Sequence, residues 1–333
     1  MKRTLVALGL TAVASATLSA CADEPDAASG AVAVAASDSS CSLSSTKLKA
    51  GPSTFKVTNK GSRVTEFYVY ADGDRIMGEV ENIGPGLTRN LVVDLEKGSY
   101  QGACKPGMVG DGIREKITVT GQAAKALSDS QELKAAAASY ARYVKSQTGA
   151  LITKTTEFVD AVKAGNVAEA KALFPGARTY WERIEPVAEK FGDLDPITDG
   201  REPDAKAENR DFTGWHRIEK QLWVEGNTDG MDPYADQLLA NVKKIVKLGQ
   251  DTPLTALELA QGSKGLLDEV ATGKITGEED AYSHTDLWDF KANIEGSQAA
   301  IASLRPVLEK QDPALVKQLD ERFKALDTLL GQY

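Results

Sequence analysis

Histidine is nearly absent from this chain, with two in 333 residues, His216 and His284. A zinc hydrolase of the HExxH or inverted HxxEH type needs two histidines within a few positions. Here they stand 68 positions apart, so neither motif forms and a protease of that kind is disfavoured. Basic charge is also short: 39 Lys and Arg face 48 Asp and Glu, a formal charge of −9. Basic patches supply nucleic-acid affinity, so the composition argues against that ligand and suits cations better. Only three cysteines occur, Cys21, Cys41 and Cys104. No run after the N-terminus is long and apolar enough to span a bilayer, which takes about 20 residues.

The N-terminus itself is distinctive. Lys2 and Arg3 precede a short apolar stretch, Leu5 to Leu18, that is too short and too rich in small residues for a stable span. It ends in LSAC, a lipobox pattern that makes Cys21 the lipidated residue of a mature protein. A terminus carrying two or three chains anchors stably at a membrane surface. Cleavage before Cys21 removes both basic residues, leaving 37 basic against 48 acidic side chains and a charge of −11. Outside the cytoplasm Cys41 and Cys104 are free to pair.

The remainder divides by composition into an α+β multidomain chain. Residues 21–40 are small and polar and read as a flexible tether. Residues 41–121 hold short strand-like runs between Gly, Asn and Asp turn signals, alternating in STFKVTN and REKITVTG and aromatic and β-branched in TEFYVYADGDR. That pattern predicts a small β-sandwich. Residues 127–333 predict an all-α helical bundle. Ser128 with Gln131 and Thr276 with Glu279 have capping-box spacing. Leu151, Thr155, Phe158, Val159 and Val162 recur at helical spacing, and Asp312-Pro313 starts a last helix.

One acidic constellation stands out. Glu182, Glu185 and Glu189 fall at i, i+3 and i+7, one face of a continuous helix. Their mutual repulsion turns into a gain if a cation is present. Asp193, Asp195 and Asp199 follow in a loop, and then GWHRIEKQLW (214–223) places His216 three residues before Glu219. Carboxylates with one imidazole suit iron, manganese or zinc better than copper(I). A blander reading stands beside this one: Arg178, Arg183 and Lys190 would make the face a solvated salt-bridge stripe, and His216, flanked by Trp215, Ile218 and Leu222, a core histidine.

GWHRIEKQLW resembles the HxxE segment of the imelysin-like domain, the M75 peptidase family. ARTYWERIEPVAEKFGDLDPITDGRE (177–202) resembles the segment preceding it in the EfeO family, and YSHTDLWDFKANIEGSQ (282–298) resembles a further signature. VENIGPG (80–86) and the Cys41–Cys104 frame resemble the cupredoxin-like domain of the same family. The resemblance spans roughly residues 40–333. It implies an iron-binding, lipid-anchored component of the bacterial cell envelope or periplasmic space, with an EfeU-type permease and an EfeB-type haem peroxidase as partners. Its ion site would fall on Glu182, Glu185, Asp199 and His216, with Asp195 the alternative to Asp199, and with Glu219 as a ligand or as the residue orienting the imidazole. Iron, ferrous or ferric, would be the cargo.

In the β region there is no histidine, so a blue-copper centre of two histidines and a cysteine cannot form. Cys41, Glu66, Glu81 and Cys104, with Glu79 nearby, would form either an accessory site for copper or zinc or, through the two cysteines, a structural disulfide. His284, near Trp288, reads as a helix-buried structural residue. Three function classes compete: a lipid-anchored iron-binding protein serving a permease, an M75-type metallopeptidase, and a surface module for an anionic polymer or a partner protein. On the first reading His216 ligates as neutral imidazole, with binding weakening on acidification through about pH 6.5. Glu182→Gln with Glu185→Gln would abolish binding yet leave the bundle folded.

Overall fold

The computed structural model describes residues 30–121, 130–207, 209–251 and 253–333. The lipobox and Ser128 lie outside these. The N-terminal part is a two-sheet sandwich. One sheet runs β2 (Cys41–Leu43), β1 (Val32–Ala36), β4 (Gly51–Asn59), β7 (Thr88–Leu95). The other runs β3 (Lys47–Lys49), β9 (Ile113–Thr120), β8 (Gly98–Pro106), β5 (Thr65–Tyr70), β6 (Ile76–Ile83). Alternation decides which side chains meet between the sheets. Phe55 and Val57 of β4 face Phe67 and Val69 of β5, joined by Cys104 and by Ile117 and Val119 of β9. Cys41 and Cys104 form a disulfide across this core, with Cα atoms 5.5 Å apart.

The tether expected over residues 21–40 is corrected in its second half. β1 lies between β2 and β4, parallel to β4, with Val32, Val34 and Ala36 buried. Counting bulky side chains hid it. A central strand bonded on both edges needs little more than small β-branched residues at alternate positions.

The helical part is built on α1 (Gln131–Lys163), which packs against α2 (Val167–Glu182), α6 (Asp232–Asp251) and α8 (Asp286–Gln311). Short elements between them carry the chemistry: α3 (Leu194–Asp199), α4 (Glu202–Ala207) and α5 (Gly214–Lys220). α7 (Ala256–Thr272) and α9 (Pro313–Leu330) complete the bundle. Its core centres on Tyr140, Phe158, Phe174, Trp181 and Trp215, the last in contact with both phenylalanines. Asp312 caps α9 as expected, accepting from the Leu315 amide at 2.9 Å.

Three local expectations change. The capping box is Thr255 with Glu258, at the start of α7, whereas Thr276 belongs to a 3-10 turn, Lys274–Thr276, that ends at Gly277. His284 is exposed in the turn before α8 at φ 59°, not buried in a helix. Glu182, Glu185 and Glu189 do not share one helical face. α2 ends at Glu182 and a 3-10 segment, Glu185–Phe191, follows. Pro186 has no amide to donate and its ring would strike the carbonyl of Glu182 in a continued α-helix. Glu189 is thereby turned away, toward Glu79.

Candidate metal centre

The segment holding His216 is fixed by a glycine. Gly214 opens α5 at φ +78°, and a Cβ there would stand 2.0 Å from the Thr198 carbonyl oxygen. This close approach sets the HxxE helix against the end of α3, where Asp199 sits. Gly214→Ala is expected to cost about 1–3 kcal/mol through strain and overpacking. Urea denaturation measures it, and an indistinguishable midpoint would show the approach to be unimportant.

His216 and Glu219 lie on one face, and both are buried. Glu219 Oε2 is 2.9 Å from His216 Nδ1, while its Oε1 accepts from the amides of Tyr282 and Ser283 at 3.1 and 2.7 Å. Glu219 is therefore clamped by backbone and orients the ring. It leaves Nε2 facing Asp199 Oδ1 at 3.5 Å and Glu279 Oε1 at 3.8 Å, with no hydrogen-bond partner of its own. Asp199 also accepts from Trp181 Nε1 at 2.8 Å. It is Asp199 and not Asp195 that reaches the histidine.

Arg178 is the centre of the charge cluster. It is completely buried and bonds Asp199, Glu182 (2.5 Å) and Glu279 (3.2 Å), with Asp280 and Asp289 at 3.4 and 3.6 Å. The solvated-stripe reading fails for Arg178. Arg183 and Lys190 do lie on a partly open surface, paired with Glu295 and Glu258. Glu182 and Glu185 do not face His216 directly. They hold the buried Lys274 ammonium and the Asn293 amide. Neutralising both glutamates would strand Lys274 without its main counter-ions, so the metal-free double variant is not expected to stay folded unharmed.

Electrostatics set the protonation states. Burial and the Arg178 charge oppose a cationic imidazole, but the carboxylates of Asp199, Glu219 and Glu279 around the ring outweigh them and hold His216 well above the ordinary histidine range. The expected titration near pH 6.5 is thus corrected upward. Burial works against the charge of Asp199, yet Arg178 and His216 hold its pKa below normal. Lys274, His216 and Arg178 likewise overcome burial and keep Glu279 well below it. Asp289 is pushed well up by burial, Arg178 offsetting only part. Among the described residues two groupings bring donor atoms close enough to share an ion: Asp199, His216 and Glu279, and His216, Glu219 and Asp280. Ligands bound at about 2.0–2.2 Å around one ion sit about 3–3.6 Å from each other. The His216 Nε2 shell is near that spacing, so the residues present fit a cation of mixed oxygen and nitrogen preference.

Sequence reasoning missed Arg178 as a site residue, and also Lys274, Glu279, Asp280, Asp289 and Asn293. The acidic run Glu278-Glu279-Asp280 was the available signal, and Asp289 and Asn293 lie inside the 282–298 signature.

The β domain corrects the four-residue accessory site. Cys104 pairs with Phe67 and points into the sandwich core, whereas Glu66 and Glu81 lie on the outer face with Tyr68, whose hydroxyl donates to Glu81 at 3.1 Å. Successive strand residues point to opposite faces, and the two sulfurs are bonded to each other, so these four side chains do not converge. The outer face instead meets the helical part, where β6 packs on α7. Burial, reinforced by Glu66, pushes Glu81 up to about 7. Burial and Glu81 do the same to Glu269, against Lys274, again to about 7. Carboxyls with raised folded pKa values give stability that is full below their unfolded values and lost as pH rises through about 7. The metal-free protein is therefore expected to melt a few degrees higher at pH 6 than at pH 8, solvent around the exposed Glu189 keeping the effect small. Scanning calorimetry in chelator tests this, and a higher melting temperature at pH 8 would contradict it.

Comparison with known proteins agrees with both domains. The imelysin family model, Peptidase_M75, matches residues 136–333, and a cupredoxin-like domain model matches residues 6–119. The chain is 40% identical over 307 residues to "Iron uptake system component EfeO" of Escherichia coli (strain K12), covering 91% of this chain and 81% of that protein. The proteins of the same name from Shigella flexneri and Escherichia coli O157:H7 match to the same extent. These relatives are named as uptake components and not as hydrolases, and the word peptidase in the family label does not by itself imply catalysis. With identity of 40% sustained across 91% of its length, the chain belongs to the EfeO family of iron uptake system components.

Proposed function

We propose that this protein captures iron outside the cytoplasm and hands it to a membrane permease. The observation that carries the reading is His216 Nε2, buried and without a hydrogen-bond partner, beside Asp199 and Glu279 in a cluster with more carboxylates than cations. His216, Asp199 and Glu279 form the nitrogen-and-oxygen shell. Glu219 holds the ring in place, and Glu182 and Glu185 supply a second set of oxygens on the far side of Arg178. A lipid on Cys21 would keep the protein at the membrane beside the permease and a haem peroxidase, the partners that the EfeO resemblance suggests. Among the described residues no helix is long and apolar enough to cross a membrane. The deciding experiment is calorimetric titration of the untagged, metal-free protein with ferrous iron under anaerobic conditions and with ferric citrate. Neither form binding, or binding unchanged in a folded Asp199→Asn, His216→Ala variant, would remove this reading.

A further inference from the structure

Lys274 is an unusual residue to find where it is. Lysine is almost never fully buried unless paired, and this one is completely buried although it sits on a three-residue 3-10 turn. Its Nζ lies 2.7 and 2.9 Å from the two oxygens of Glu185, 3.2 Å from Glu182 Oε2 and 3.7 Å from Glu279 Oε2. Four carboxylate oxygens thus surround one positive atom, the kind of shell that a hard metal cation takes.

We propose that the Lys274 ammonium is a tethered occupant of the Glu182–Glu185 carboxylate pair, which an incoming metal cation displaces, so that loading and unloading exchange one cation for another. The inference rests on the iron-capture reading above and concerns how the same cluster is filled and emptied.

Two further observations support it. The first is Asn293. Its Nδ2 donates to Glu182 Oε2 at 2.9 Å and Glu185 Oε2 at 2.6 Å, while its Oδ1 is buried with no partner. A buried amide oxygen left unpaired is costly. Rotating the amide by half a turn gives up these bonds and a third, to the Glu182 carbonyl at 3.1 Å, and brings Oδ1 to the carboxylates, an arrangement that is favourable only around a metal cation. Asn293 then becomes an oxygen ligand of the incoming cation.

The second is the turn itself. Gly273 and Gly277 bracket Lys274–Thr276, Gly277 at φ 78°, and Ile275 beside the lysine is 64% exposed. The turn reaches the surface at Ile275 and Thr276, directly after the buried Lys274. Lys274 can withdraw with a rearrangement of this turn alone, leaving α7 and α8 in place. Glu185, whose side chain is 14% exposed, marks the side from which a cation enters. Glu279 links the two halves of the cluster, with Oε2 toward Lys274 and Oε1 toward His216. An ion at the carboxylate pair therefore competes with Lys274 for an acid that also faces the imidazole, and the returning ammonium supplies the charge that lets the ion leave.

The test reads the lysine directly in the full chain. Metal-free and ferrous-iron-loaded protein are treated with an amine-acetylating reagent, and Lys274 modification is followed by mass spectrometry. Protection without metal and modification with it is the expected result. Protection in both states overturns displacement. In parallel, Lys274→Met is expected to bind ferrous iron at least about tenfold more tightly than the parent, because the competitor is gone. Lys274→Arg keeps the charge and should bind no more tightly than the parent. Equal affinity in a folded Lys274→Met protein counts against the exchange. If Lys274→Met folds only with metal, the labelling of the unaltered chain still decides. Failure of the iron-capture reading looks different: the parent itself gives no binding heat.

Discussion

Replacing Arg178 with methionine is expected to cost the metal-free protein about 3–5 kcal/mol, the cost of breaking a buried ion pair by removing one partner. The guanidinium contacts Glu182, Asp199, Glu279, Asp280 and Asp289, and all of these are buried. Without it, Lys274, a protonated His216 and Arg201, 3.8 Å from Glu279, are the cations left around them. Methionine fills most of the volume, so the loss reads out charge and hydrogen bonding more than packing. Urea denaturation of parent and variant in chelator measures it, and iron should return part of the lost stability, because a bound ion stabilises the folded state by mass action. A loss under about 1 kcal/mol would show that the carboxylates neutralise themselves by protonation and that Arg178 is dispensable.

Asp199→Asn is expected to lower iron affinity by about 100-fold, roughly 2.8 kcal/mol, while keeping the shape that meets Trp181. The same titrations carry a sign that depends on His216. Its pKa is held well above the ordinary value by Asp199, Glu219 and Glu279, despite burial. Nε2 must lose a proton before it can ligate. Iron and proton therefore compete, and affinity should rise by up to about tenfold per pH unit between pH 6 and 8. Calorimetry in buffers of different ionisation enthalpy should register at least about one proton released per ion at pH 7, and one fewer in His216→Ala. Release of no proton by the parent would mean that His216 is not a ligand. In the absence of metal, the charged His216 contributes stability that is full below the unfolded value and lost as pH rises through its raised folded value.

Much of this was legible before any coordinates. Alternation in STFKVTN placed β4, the aromatic and β-branched run TEFYVY placed β5, and the Ala-rich stretch after residue 130 placed α1. The pairing of His216 with Glu219 followed from i, i+3 spacing. Other parts were hidden for identifiable reasons. β1 lacked bulky residues because its neighbours on both sides supply the stabilisation. The shared glutamate face failed because one proline outweighed the periodicity. Glu66 and Glu81 were grouped with the cysteines by proximity in sequence, and strand pleating put them on the opposite face.

The sequence by itself determined the order of the two domains, the absence of an HExxH pair and of a blue-copper set, and the helix that carries His216. Those properties depend on residue type and short-range spacing, which the chain writes directly. Only the tertiary structure decided which charges are buried and what each one meets. Arg178 reaches Glu279 across 101 positions and Lys274 reaches Glu182 across 92. On an exposed helix those same side chains would form weak surface pairs. Enclosed by α2, α3, α5 and α8, they form a strongly coupled cluster, because removal from water makes each charge depend on its partners.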